Sequence, residues 1–184
     1  MNNKIQAVFI DRDGTIGGNG HFIHPNGFEL YPFSKAAFEL LNQHGIRMFA
    51  YTNQHRISRG EALADEFRRE FHSYGFHDAF ICPHSSDENC ACKKPLPGLL
   101  HEAADKHGLD LSKTVVIGDT GSTDMLAAHA AGSGKVLVQT GWGMGSLGEY
   151  RHTWQETEPD YIAKDLLEAV RWVIDRRGPF FGKY

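Results

Sequence analysis

The chain has 184 residues, of which 41% are hydrophobic and 23% charged, with a formal net charge of −4. That balance matches an ordinary soluble globular protein long enough to bury a core. It excludes a global basic field for nucleic acid, so any anionic ligand must be held by local cations or a metal.

The opening "MNNKIQAVFIDRDGT" meets a charged cluster after a short apolar run, unlike a signal peptide. No stretch is long enough to cross a bilayer. The expectation is one cytoplasmic domain over residues 1–184, monomeric, with reduced thiols. "IQAVFI" (5–10) reads as a buried strand ending in "DRDGT", and residues 16–28 as a loop or small flap. "SKAAFELLNQHG" has helical spacing, with Ser34 as the expected N-cap and Gly45 as the stop. "IRMFAYT" is a strand running into "TNQ", and "RGEALADEFRREFHSYG" an amphipathic helix. "AFIC" is a short strand before a cysteine loop, and "PGLLHEAADKHG" a helix. "TVVIGD" is a β-branched strand, "TDMLAAHAAG" a helix, "KVLVQT" a strand and "DLLEAVRWVIDRR" the last helix. The closing "RRGPFFGKY" is expected to pack on the body or stay loose.

Alternating strands and helices, with uniformly apolar strands, predict an α/β fold whose mostly parallel sheet is covered on both faces. In such sheets ligands bind beyond the carboxyl ends of the strands. Three predicted strands end there in polar triplets: Asp11-Arg12-Asp13, Thr52-Asn53-Gln54 and Gly118-Asp119-Thr120. If the first strand stays extended, Asp11 and Asp13 point to one side. Two carboxylates that close require a cation or a shared proton. With Asp119 added, the oxygen donors suit Mg²⁺, which also binds phosphate. Thr15 and Thr52 can donate to phosphate oxygens, and Lys94 offers a point positive charge.

"FIDRDGT", "TNQ", "KKP" and "VIGDTGSTD" together resemble the four motifs of the haloacid dehalogenase (HAD) superfamily. The resemblance is to the minimally capped subfamily IIIA, which includes heptose bisphosphate and histidinol-phosphate phosphatases. It implies a Rossmann-like three-layer sandwich and Mg²⁺-dependent hydrolysis of a small phosphorylated metabolite through an aspartyl-phosphate. Asp11 then matches the nucleophile and Asp13 the acid and base. Thr52 and Asn53 match the phosphate-positioning segment, Lys94 the phosphate-binding lysine, and Asp119 a Mg²⁺ ligand beside Asp11 and Asp13. Lys93 stands where relatives place an arginine against a second anionic group, and "TNQHRISRG", with Arg59, is similar to the heptose type. The acid after Asp119 is Asp124, five residues on where many relatives have four, so Asp124 is expected to cap a helix or stand behind the ligands.

All three cysteines lie in "CPHSSDENCACKKP". Cys82, His84, Cys90 and Cys92 offer three thiolates and one imidazole, which suit a closed tetrahedral Zn²⁺ site. Such a clamp over 82–92 would fold an otherwise polar loop just before Lys94. His21 and His24, in the flap, and Arg56 after "TNQ" are candidates for substrate contact or plain surface groups. The rival classes are a histidinol-phosphate phosphatase and a zinc-bearing binding module without catalysis.

Overall fold

The structure, a computed structural model, describes residues 4–176; the closing segment from residue 177 lies outside them. Six strands form one sheet: β1 (Ala7–Ile10), β2 (Arg47–Asn53), β3 (Asp78–Cys82), β4 (Thr114–Gly118), β5 (Gly134–Val138) and β6 (Tyr161–Ala163). Their order is β3-β2-β1-β4-β5-β6 and every pairing is parallel. The order reverses between β1 and β4, which opens a crevice at their carboxyl ends.

Among the described residues six α-helices complete the layers: α1 (Ser34–Gln43), α2 (Ala64–Ser73), α3 (Gly98–His107), α4 (Leu126–Ala131), α5 (Gly143–Leu147) and α6 (Leu166–Asp175). Strand residues alternate between two buried faces. Val8, Ile10, Met48, Ala50, Val115 and Ile117 pack with α1, α2 and α6, including Leu41, Phe67, Phe71 and Val170. Ala7, Phe9, Phe49, Tyr51 and Val116 face the other way, onto Leu99, Leu100, Ala103, Ala127 and Ala128 of α3 and α4. Both faces being covered explains why the strands read as continuous apolar runs.

The expected Ser34 cap is corrected. Ser34 is the first residue of α1, and its hydroxyl donates to the Ile16 carbonyl at 2.8 Å. That bond ties α1 to the start of the flap. Helix α2 starts at Ala64, later than its apolar pattern suggests, where Glu66 accepts from the Leu63 amide at 2.8 Å. Two elements go unseen in the sequence. Strand β6 has three residues, and α5 is "GMGSL", too short and too glycine-rich to show a period.

Candidate active site

Each polar triplet arrives at the crevice on a strand end. The Asp11 amide continues the sheet by donating to the Ile117 carbonyl at 3.0 Å. The chain then turns, with the Thr15 and Ile16 amides both donating to the Arg12 carbonyl. Gly14 and Gly141 sit on either side of Asp119. A Cβ on either glycine would fall 2.1 Å from Asp119 Oδ2, and both have left-handed φ, +87° and +55°. The Asp119 carboxylate is held there by the Trp142 amide at 2.8 Å and the Thr120 hydroxyl at 3.0 Å.

One pocket is lined by Asp11, Asp13, Thr52, Asn53, Lys94, Asp119 and Thr120, so the three triplets and the lysine meet as expected. The flap adds Gly20 and Phe22, and Gln54, His55 and Thr123 complete the wall; the last three lie within the quoted motif stretches, which give them no role of their own. Thr15 stands apart from this lining. It is fully buried, and its hydroxyl has no hydrogen-bond partner among the described residues.

Lys94 is 5% exposed and its ammonium reaches Asp11 Oδ1 at 2.8 Å, Asp124 Oδ1 at 2.6 Å and the Tyr51 carbonyl at 3.2 Å. Burial opposes its charge, but Asp11 and Asp124 outweigh burial and hold it protonated. Carboxylate oxygens of Asp11, Asp119 and Asp124 all lie within 4.8 Å of one another. Burial, then Asp11 and Asp124, push Asp119 well above the usual carboxylate range. Asp124 is pushed up to about 6, by burial first. One ammonium against three buried carboxylates leaves the trio short of positive charge. An oxygen-only cluster in that state fits a hard divalent cation such as Mg²⁺.

Two site expectations change. The Asp13 carboxylate, expected among the Mg²⁺ ligands, is turned away from the trio. Arg12 Nη1 donates to its Oδ1 and Gln54 Nε2 to its Oδ2, each at 2.7 Å. The reason is the turn after Asp11, which ends the extended run that would have aligned the two side chains. Burial pushes Asp13 up to about 6, against the lowering effect of Arg12. Asp124, in turn, stands inside the trio rather than behind it. Residues Gly121–Met125 form a π-helical turn leading into α4. A π turn takes up one extra residue per turn, so the five-residue spacing still returns Asp124 to the crevice. There it also accepts from the Thr120 amide at 3.1 Å.

Asn53 brackets the Lys94 backbone, accepting from its amide at 3.1 Å and donating to its carbonyl at 3.3 Å. Lys93 points back to Ser86 Oγ at 2.8 Å, and Arg59 is exposed; neither lines the pocket. Both, with Arg56, lie close enough to His55 to help lower its pKa, after burial. Arg56 pairs with Glu61 and lies over the Phe22 ring. His24 accepts from the Asn26 amide and lies 3.4 Å from Glu66, while His21 packs edge-on against Trp142. The Trp142 indole donates to the Gly20 carbonyl at 3.1 Å.

Beyond β3, the Cys82, His84, Cys90 and Cys92 donor atoms all lie within 4.8 Å of one another. Cys82 Sγ is 3.7 Å from Cys90 Sγ and 3.3 Å from Cys92 Sγ, and His84 Nδ1 is 3.2 Å from Cys92 Sγ. The edge of a zinc–thiolate tetrahedron is about 3.8 Å, so the cluster has the size and donors of a metal site.

Residues 91–169 match the family model described as HAD-hydrolase-like. The chain is 32% identical to a D-glycero-beta-D-manno-heptose-1,7-bisphosphate 7-phosphatase of Yersinia pestis, over 84% of this chain and 91% of the relative. It is 33% identical to the D-glycero-D-manno-heptose-1,7-bisphosphate 7-phosphatase of Thermosynechococcus vestitus, over 94% and 97%. A crystal structure of D,D-heptose 1,7-bisphosphate phosphatase from B. bronchiseptica, complexed with magnesium and phosphate, superposes with TM-score 0.77 at 30% identity. It covers 91% of this chain and 97% of that one. The crevice of clustered carboxylates, the parallel sheet that builds it and these relatives agree: the chain belongs to the HAD-like hydrolase family, among its phosphatases.

Proposed function

We propose that the chain is a Mg²⁺-dependent phosphohydrolase that removes one phosphate from a small phosphorylated sugar, a heptose bisphosphate being the best-supported class. The observation that carries this reading is the meeting of Asp11, Asp13, Lys94 and Asp119 in one pocket, with the buried Asp124 carboxylate against Asp11, Asp119 and Lys94. The relatives' names support the substrate class.

A carboxylate oxygen of Asp11 attacks phosphorus, the bond from phosphorus to the leaving oxygen breaks, and the proton on Asp13 passes to that oxygen. This half-reaction yields an aspartyl-phosphate and the free alcohol. Asp13, now an anion, then takes a proton from a water whose oxygen attacks phosphorus. The bond to Asp11 breaks, inorganic phosphate leaves, and both aspartates regain their starting forms. Burial raises Asp13 to about 6, so far more of it carries a proton near neutral pH than of an ordinary carboxyl, and that fraction serves the first step. Thr52 Oγ1 accepts from Gln54 at 3.0 Å, which leaves its hydroxyl hydrogen to point at a phosphate oxygen. Lys94 adds a fixed positive charge, and Asn53 serves it by clamping its backbone.

Mg²⁺ held by Asp11, Asp119 and Asp124 would offset the repulsion between an anionic carboxylate and an anionic phosphate. Zn²⁺ is the metal best suited to Cys82, His84, Cys90 and Cys92, as a closed structural site in a reducing cytoplasm. Lys93, Arg56 and Arg59, which gather around the pocket-lining His55, would be the cations for the second anionic group of a bisphosphate.

The test is hydrolysis of a panel of sugar bisphosphates, sugar monophosphates and histidinol phosphate with added Mg²⁺, by wild type and Asp11→Asn. A sugar bisphosphate should show the highest kcat/KM, and the variant should lose at least roughly 10³-fold. Wild type and variant equally inert would defeat the reading. A preference for histidinol phosphate would reassign the substrate.

A further inference from the structure

We propose that Arg12 and Glu70 form a positioning device for the Asp13 carboxyl, so that Glu70 on α2 governs proton delivery to the leaving group. The inference rests on the reading of Asp13 as the leaving-group acid.

Arg12 is fully buried, and each arm of its guanidinium is spoken for. Nε donates to Glu70 Oε2 at 2.7 Å and Nη2 to Glu70 Oε1 at 2.9 Å, a two-pronged pairing that fixes the plane of the group. Nη1 donates to Asp13 Oδ1 at 2.7 Å. Phe28 covers the guanidinium from 3.7 Å and Phe67 lies 5.0 Å away. Gln54 holds the other Asp13 oxygen at 2.7 Å. Asp13 thus has both oxygens bound, one through a chain that ends on α2, and cannot rotate freely about its terminal torsion.

A purely structural role accounts for less of this. A buried ion pair is a poor source of net stability, and apolar residues of similar volume commonly serve as well. The third arm of Arg12 is spent on a pocket-lining carboxyl rather than on backbone. An acid must sit within about 3 Å of the oxygen it protonates, so a carboxyl free to swing would deliver its proton late. Glu70 lies outside every motif in the chain.

The experiment compares kcat/KM for two substrates in the presence of Mg²⁺. One is a sugar phosphate that wild type hydrolyses, whose alkoxide must be protonated as it leaves. The other is p-nitrophenyl phosphate, whose phenolate leaves without a proton. The ratio kcat/KM reports only the first half-reaction for both. Glu70→Gln keeps the shape of the side chain but weakens the fork. The pair Arg12→Met with Glu70→Leu removes both charges of the buried fork together, so neither half of it is stranded, and leaves the Asp13 carboxyl held by Gln54 alone. Each should lose about tenfold or more on the sugar phosphate and less than threefold on the aryl phosphate. Equal losses on both substrates, or no loss on the sugar phosphate in the charge-free variant, would overturn the proposal. Wild type inert toward both would instead overturn the phosphatase reading beneath it.

Discussion

The carboxylate crevice and the thiol loop assemble in opposite ways. Asp11 follows β1 while Asp119 and Asp124 follow β4, and they converge only because those two strands lie side by side at the point where the strand order reverses. Their charge is buried and short of cations before any ligand arrives. Cys82, His84, Cys90 and Cys92 come from eleven consecutive residues at the sheet's edge, partly exposed, with little apolar material to fold them. The first site is a product of the fold and the second a local fastening. They meet at Lys94, whose ammonium belongs to the crevice while its backbone follows the loop.

Predictions that break this division begin with the shared residue. Lys94→Met removes the ammonium from Asp11 and Asp124, leaving buried charge uncompensated. Activity should fall by roughly 10²–10³-fold, and stability by about 3–5 kcal/mol. Added Mg²⁺ should raise the melting temperature of this variant more than that of wild type; equal shifts would argue against the trio as its binding place.

Cys90→Ser attacks the loop alone. Zinc content measured by elemental analysis should fall, and activity on a sugar phosphate should drop about 10²-fold through misplacement of Lys94. Unchanged activity with zinc lost would separate the two regions. Asn53→Ala removes the bracket on the Lys94 backbone. It should cost about tenfold in kcat/KM with zinc content unchanged.

The smallest effect lies away from both sites. Burial works to raise the pKa of Asp78, but its bonds to Lys106 and His107 outweigh this and lower it. A lowered carboxylate pKa contributes stability that is present above the unfolded value and is lost as pH falls through the folded one. Asp78→Asn should therefore cost less than about 1 kcal/mol at neutral pH. Its denaturation midpoint should approach that of wild type as pH falls below about 3.9.

Legibility followed the same division. Strand ends carrying "DRD", "TNQ" and "GDT" were readable because a parallel sheet places such ends together whatever the intervening helices do. The thiol cluster was readable because its ligands are near neighbours in the chain. Asp124 was not, because spacing was counted as if the following turn were α-helical, and the π turn at Gly121–Met125 absorbs the difference. The partners of the Asp13 carboxylate, Arg12 and Gln54, were not readable because the strand was assumed to stay extended past Asp11. Glu70 carries no local signature, and Gln54, though inside the "TNQ" triplet, has no role of its own there. Their roles exist only through Arg12 and Asp13, one contact removed from the residues to which a motif assigns chemistry.

Trp142 has a practical consequence. Its amide holds Asp119, its indole holds the flap through Gly20, and it is 38% exposed at the rim of the pocket. Trp154 is fully enclosed, and Trp172 stacks on Tyr161. Emission from Trp142 should thus be the component most sensitive to events at the crevice. The chain carries its own optical gauge of occupancy, one that needs no label and can be followed during a single turnover.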